Sequence, residues 1–155
     1  MPPHLMDEPI RSFTGPHRFL SNFHPAPITW RGLVWPSAEH AYQGAKMARE
    51  CDRETIRAAG TPGRAKRLGR KFQILPGWEG TRLAVMREIL AAKFEQHPEL
   101  LARLAATGDA PLREGNRWHD NFWGDCACPR CAGTEGKNWL GRLLEDLRGA
   151  TGGGG

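Results

Sequence analysis

The stretch ITWRGLVWPSAEHAYQGAKM, residues 28–47, fixes more local structure than any other part of the chain. Two three-residue runs of β-branched and aromatic character flank Arg31-Gly32, a pair suited to a tight two-residue turn. Pro36 has no N–H to give a ladder and ends the ribbon, while Ser37 can cap a helix that begins at Ala38. A hairpin therefore runs straight into a helix, expected from about Ala38 to Arg49, and the core must form around that junction. Along this helix Glu39, Tyr42, Gln43 and Lys46 are spaced so that all four share one face.

The remainder reads as helix and loop. Residues 11–27 are rich in Pro, aromatics and turn formers, typical of loops and short strands. GTPGRAKRLGR opens a short basic helix with Pro62 in a first helical position. Leu83, Met86, Leu90 and Phe94 recur at helical spacing and place a core helix over about Thr81 to Gln96. Pro98 starts another, closed by Gly108, and a last helix runs from about Asn138 to Arg148. The class expected is α+β: a predominantly helical single domain with a small β-hairpin near the N-terminus. Residues 1–10 are expected to be a loose arm, 11–149 the domain, and 150–155 a flexible Gly-rich tail. Irregular stretches at 11–27 and 109–137 exceed the usual loop length in compact domains, so a site is expected there.

A chain of 155 residues, 39% hydrophobic and 25% charged, can bury a core without staples. No apolar run approaches the ~20 residues of a membrane span, and the Pro-rich start lacks the apolar stretch of a signal peptide, so a cytoplasmic protein with no membrane partner is expected. The net charge is +5, and only five of the 22 basic residues are lysines. Arginine makes planar, paired contacts to phosphate, which suits a phosphorylated or nucleic-acid partner; a codon bias explains the same excess equally well.

Three further groups can carry chemistry. In REGNRWHDNFWGD, the acids Glu114, Asp120 and Asp125 and the imidazole of His119 lie among Trp118, Phe122 and Trp123. Such a loop can sandwich a planar base while a carboxylate moves protons, or it can simply be anchored by its tryptophans. Lys66, Arg67 and Arg70 can hold a phosphate or form a solvated basic face, and the spacing is not that of a Walker motif. Cys126, Cys128 and Cys131, with His119 upstream, offer three sulfurs and a nitrogen to zinc. Without a second Cys-x-x-Cys knuckle they read as well as three thiols.

The segments FLSNFHPAPITWRGLVWPSAEHAYQGAK, RAKRLGR, VMREILAAKF, TGDAPLREGN, DNFWGD and GKNWLGRLLEDLR together resemble the NADAR family, the fold of the riboflavin-intermediate N-glycosidases. The resemblance implies an enzyme that cleaves the bond between ribose C1 and an amine or base nitrogen without a cofactor. Two substrate classes are implied: phosphoribosylamino-pyrimidine intermediates of riboflavin biosynthesis, or ADP-ribose on guanine in DNA. It further implies Lys46 as the reactive amine forming a Schiff base, with Glu39 and Asp120 moving protons. In the alternative, Lys46 acts only electrostatically and an acid activates water. Trp35 or Trp123 would stack on the base and Tyr42 would help to keep water from Lys46. Ser21, Asn22 and Asn138 would bind the sugar, and Lys66, Arg67 or Arg70 the phosphate. Phe23, Gln43 and Gly124 complete the implied substrate-binding set. A nucleotide-binding module without activity is the reading from another class.

Overall fold

A computed structural model describes residues 7–152. Within it the chain forms two compact units: Asn22–His97, and the segments on either side. The class is the expected α+β, mainly helical with one antiparallel hairpin. No helix among the described residues is long and apolar enough to cross a membrane.

In the unit Asn22–His97, β1 (Ile28–Trp30) and β2 (Leu33–Trp35) pair with Ile28 opposite Trp35 and Trp30 opposite Leu33. Arg31 and Gly32 both take positive φ, at 51° and 78°, as a turn matched to the strand twist requires. The guanidinium of Arg31 lies 4.2 Å over the Trp30 ring, whose Nε1 donates to Glu88 at 3.1 Å. Gln96 completes the ribbon edge: its amide accepts from Thr29 N and donates to Thr29 O, both at 2.8 Å.

The first helix, α1 (Ala38–Lys46), packs against β2 and against the helices α2 (Glu50–Arg57), α3 (Pro62–Gly69) and α4 (Trp78–Gln96). Ala38 through Gly44 are all buried. Ser37 Oγ accepts from His40 N at 3.1 Å and lies 2.7 Å from His40 Nδ1, while His40 Nε2 lies 2.9 Å from Ala59 O. A carbonyl only accepts, so the proton sits on Nε2 and the Ser37 hydroxyl donates to Nδ1. Burial lowers the pKa of His40, against the pull of the Ala59 carbonyl, and keeps the ring neutral. It clips the start of α1 to the end of α2.

Two boundaries differ from expectation. The helix ends at Lys46, not Arg49, because Met47 turns extended (φ −81°, ψ 139°) and bridges Ile74. A separate helix, α2, then follows. Its only buried apolar residue is Ile56, so no apolar stripe announced it; Ile56 packs with Met47, Ala59, Ala65 and Leu68. Helix α4 begins a turn earlier than Thr81, with Gly77 left-handed at φ 79° before it.

The other unit contains a 3-10 helix at Gly15–Leu20, α5 (Pro98–Ala106), α6 (Trp139–Gly152) and the two-residue parallel strands β3 (Gly115–Asn116) and β4 (Asp125–Cys126). Leu104, Leu112 and Leu144 are fully buried. Of the expected arm, residues 1–6 lie outside the described residues. Asp7 accepts from Asp109 N at 3.0 Å, and Ile10 exchanges 2.8 Å bonds with Pro111 O and Arg113 N. Of the expected tail, residues 150–152 continue α6 and 153–155 lie outside the described residues.

Gly44 marks close packing on α1, since a Cβ there would collide with the Trp35 ring. In an open helix Gly→Ala gains about 1 kcal/mol. Here Gly44→Ala should instead lower the unfolding free energy by about 1–3 kcal/mol, as overpacking does. Urea unfolding followed by circular dichroism measures the sign; a more stable variant contradicts the packing described.

Candidate active site

A cleft opens at the break after Lys46 in the unit Asn22–His97. Beyond it the chain runs extended beside residues 73–75, with Ala48 N donating to Gln73 O at 2.9 Å and Leu75 N to Lys46 O at 2.8 Å. Gly77 then reverses the chain into α4, which starts with the buried Trp78. The resulting cleft of about 500 Å³ is lined by Tyr42, Lys46, Ile74, Leu75, Trp78 and Arg82, among others. Tyr42 and Trp78 form its aromatic wall, with centroids 5.4 Å apart and planes at 55°.

Lys46 is half-buried and its pKa is lowered. Burial is the main cause; Glu39 opposes it by favouring the ammonium, and Arg70 and Lys66 reinforce it by repulsion. Glu39 is 7% exposed, and its Oε2 accepts from Gln43 Nε2 at 2.7 Å. Helix α1 thus brings an amine, a carboxylate and an amide together from the predicted face. Asn22 O accepts from Glu39 N at 3.1 Å, and Asn22 Nδ2 lies 3.5 Å from Met86 Sδ. Two amide oxygens on the residues holding Glu39, Asn22 Oδ1 and Gln43 Oε1, are buried without a hydrogen-bond donor. Native folds rarely keep such groups without a reason.

Helix α3 supplies the cations one turn apart. Lys66 Nζ lies 5.8 Å over the half-buried Phe23 ring, and Arg70 ends the helix exposed. Arg67 is also exposed. The start of α3 is closed by Thr61, whose side chain accepts from Arg64 N at 3.1 Å.

Trp35 is a correction. It is 3% exposed, packed on Gly44, and its Nε1 donates to Trp30 O at 3.2 Å, so no ring face is available for a base. Trp78 and Arg82 line the cleft instead, and sequence reasoning passed over them. Their signal was LPGWEG, a tryptophan directly behind a Pro-Gly turn. A second lysine was also missed: Lys93 on α4 is 0% exposed, and burial lowers its pKa to about 7. An amine without exposed surface does not meet substrate, whereas Lys46 faces the cleft.

The remaining expected residues belong to the other unit. Ser21 N donates to Arg18 O at 2.9 Å, closing the 3-10 helix. Asp120 Oδ1 accepts from Phe122 N at 3.1 Å and Trp123 N at 2.9 Å, which shapes the aromatic loop. Trp123 is half-buried, edge-on to Phe122 with centroids 4.8 Å apart. Gly124 is buried against Glu114, where a Cβ would collide with the backbone. Asn138, expected at the sugar, takes φ 53° and commits its amide to backbone: Oδ1 accepts from Glu114 N at 2.9 Å and Nδ2 donates to Leu112 O at 2.8 Å. It is a structural staple. His119 Nδ1 and the sulfurs of Cys126, Cys128 and Cys131 all lie within 4.8 Å of one another.

The chain is similar to known proteins along nearly its whole length. Residues 10–150 match the NADAR domain. The chain is 40% identical over 150 residues to N-glycosidase YbiA of Escherichia coli K12, covering 94% of this chain and 90% of that one. It is 38% identical over 148 residues to a riboflavin biosynthesis protein of Vibrio vulnificus, covering 93% of this chain and 39% of that longer one. The NMR structure of E. coli YbiA superposes with a TM-score of 0.81 at 39% identity, over 94% of this chain and 86% of that one.

Two outcomes follow from the buried charges and the loop. Lys93 has an unfolded pKa near 10.5 and a folded value of about 7, so between those values the unfolded chain binds more protons. Stability therefore rises with pH across that window. Melting temperatures from pH 7 to 10 should rise less steeply in Lys93→Met; an unchanged slope refutes the assignment. At Asp120, an amide oxygen can accept the same two N–H groups. Asp120→Asn should keep the fold, and Asp120→Ala should lose about 1–2 kcal/mol. Activity lost in the Asn variant at full stability identifies Asp120 as a proton carrier; activity retained leaves it a loop former.

Proposed function

The chain belongs to the NADAR family and is an N-glycosidase, and from that premise we propose that it hydrolyses phosphoribosylamino-pyrimidine intermediates of riboflavin biosynthesis in the cytoplasm. One observation carries the mechanism: Lys46 faces an aromatic-walled cleft, half-buried, with its ammonium disfavoured by burial and by Arg70 and Lys66. Both effects raise the fraction of neutral amine at a given pH, which a nucleophilic lysine needs.

In this reading the Lys46 Nζ lone pair adds to ribose C1, the C1–N bond breaks, and the pyrimidine amine leaves with its electron pair. Glu39 takes the proton that Nζ gives up and passes it to the leaving nitrogen. Opening of the ribose ring leaves a Schiff base between Nζ and C1. Water adds to that carbon, Glu39 again relays the proton, and the free sugar phosphate departs with Lys46 restored. The balance is one water consumed per bond cleaved. Tyr42 and Trp78, both largely buried, line the cleft that would take the pyrimidine, and Lys66 and Arg70 suit its phosphate. The riboflavin-related name of the Vibrio relative supports this substrate.

The exposed Arg64, Arg67 and Arg70 on α3 favour a second substrate, ADP-ribosylated guanine in DNA, since such a basic face suits a polyanion. Following base release from each substrate separates the two.

Borohydride added during turnover should trap a sugar adduct on Lys46, identified by peptide mass spectrometry. Lys46→Ala should lose activity by roughly 10³-fold or more. Near-normal turnover in that variant ends the covalent mechanism. Removing a cationic neighbour favours the ammonium, so in Arg70→Met the alkaline-rising limb of kcat/KM should move to higher pH.

A further inference from the structure

His119, Cys126, Cys128 and Cys131 take no part in the chemistry above, yet the fold converges them. The spacing is His-x6-Cys-x-Cys-x2-Cys. His119 Nδ1 lies 3.3 Å from Cys128 Sγ, 3.4 Å from Cys131 Sγ and 3.9 Å from Cys126 Sγ. A tetrahedral zinc with Zn–S of about 2.3 Å and Zn–N of about 2.0 Å sets its nitrogen roughly 3.5 Å from each sulfur. The three observed distances bracket that value.

Hydrogen bonding does not account for the arrangement. One imidazole nitrogen has either a single lone pair or a single hydrogen, so it serves one sulfur and not three. A disulfide would use two of the cysteines and strand the third, and all three are free thiols here. His119 holds φ 69°, a left-handed conformation that non-glycine residues adopt at a cost. The 3-10 turn Pro129–Cys131 folds Cys131 back towards Cys128.

N–H groups are directed at two of the sulfurs. Cys128 N points at Cys126 Sγ at 3.5 Å, and Asn121 Nδ2 points at Cys131 Sγ at 3.4 Å. Asn121 Oδ1 meanwhile accepts from Cys126 N at 2.8 Å, so one side chain ties both ends of the cluster. N–H donors to ligating sulfur offset its charge and fix its direction. Cys126 and Cys128 are buried, while His119 is exposed and leaves a way in for an ion.

The geometry points to a structural zinc site formed by His119 Nδ1, Cys126, Cys128 and Cys131. Four protein ligands leave no open position, so the ion acts as a clip and not as a Lewis acid. It closes the ring of chain that carries Asp120, Phe122 and Trp123. Neighbouring bonds extend the clip to α6, through Trp139 N to Phe122 O at 3.1 Å and Leu140 N to Trp123 O at 3.0 Å.

The test is the metal content of untagged protein, purified without chelator from zinc-supplemented cells, by inductively coupled plasma mass spectrometry. About one zinc per chain is expected. Cys131→Ser and His119→Ala should lower it several-fold, while Cys51→Ser, at an exposed thiol on α2, should leave it unchanged. Cobalt(II) exchanged into the wild type should show the strong visible absorption of a tetrahedral thiolate site. Well under one equivalent of zinc in the wild type overturns the proposal. So does iron in its place, or an intact mass two hydrogens light from a disulfide. Because the measurement needs no substrate, it stands whether or not Lys46 is the nucleophile.

Discussion

A helix buried along nearly its whole length, yet polar at half its positions, is the constraint the unit Asn22–His97 is built around. Each polar group on α1 must be answered inside the protein, since burying one unpaired costs on the order of 1–3 kcal/mol. Ser37 and Ala59 answer His40, and Gln43 answers Glu39. These bonds satisfy His40 and the Gln43 amide nitrogen, while Gln43 Oε1 stays buried without a donor. Lys46 sits at the C-terminal end, where α1 stops and the cleft opens, so its amine is partly dried but still reachable. Gly44 and Gly69 serve the same end, letting Trp35 and Gln43 approach α1 and α3 more closely than any side chain would permit.

Dryness and access do not go together in the two lysines. Lys93 has the stronger desolvation, with a pKa of about 7, but no surface through which a ribose can approach. The field around Lys46 is mixed: Glu39 favours its charged form, and Lys66 and Arg70 disfavour it. In the mechanism proposed above, such opposition suits an amine that must exchange protons during a cycle. A group driven wholly to one form would be a poor relay partner for Glu39.

Much of this was legible in the sequence for definite reasons. The hairpin carries its turn chemistry in Arg31-Gly32, and Pro36-Ser37 marks the helix start, both local signals. The Glu39–Lys46 face follows from helical spacing. What escaped lacked a local signal. Helix α2 has one buried apolar residue, and its Arg57–Glu54 pair at 2.7 Å lies within the helix on a solvent-accessible face. Lys93 continued the stripe of Met86 and Leu90, so its burial was readable from periodicity and was masked by its charge. Trp35 and Asn138 were expected at the ligand from the family resemblance. Whether a ring shows a face or an amide is spent on backbone depends on tertiary neighbours, which spacing does not carry.

The segment 109–137 shows what irregular backbone requires in order to hold one shape. Its strands are two residues long, so the ladder bonds that fix ordinary sheets are nearly absent. Ordering each residue costs roughly 1–2 kcal/mol, and the return must come from side chains. Asn116, Asp120, Asn121, Asp125 and Asn138 supply it by bonding backbone groups directly. Asp125 does so with its pKa held down by Gly136 N and by Arg113 at 2.6 Å, which keeps it an acceptor well into acid. The zinc proposed above would add constraint where amide and carboxylate bonds run out, since an ion that binds only the folded loop adds its binding free energy to folding. The polar residues of this loop are therefore accounted for first by backbone satisfaction.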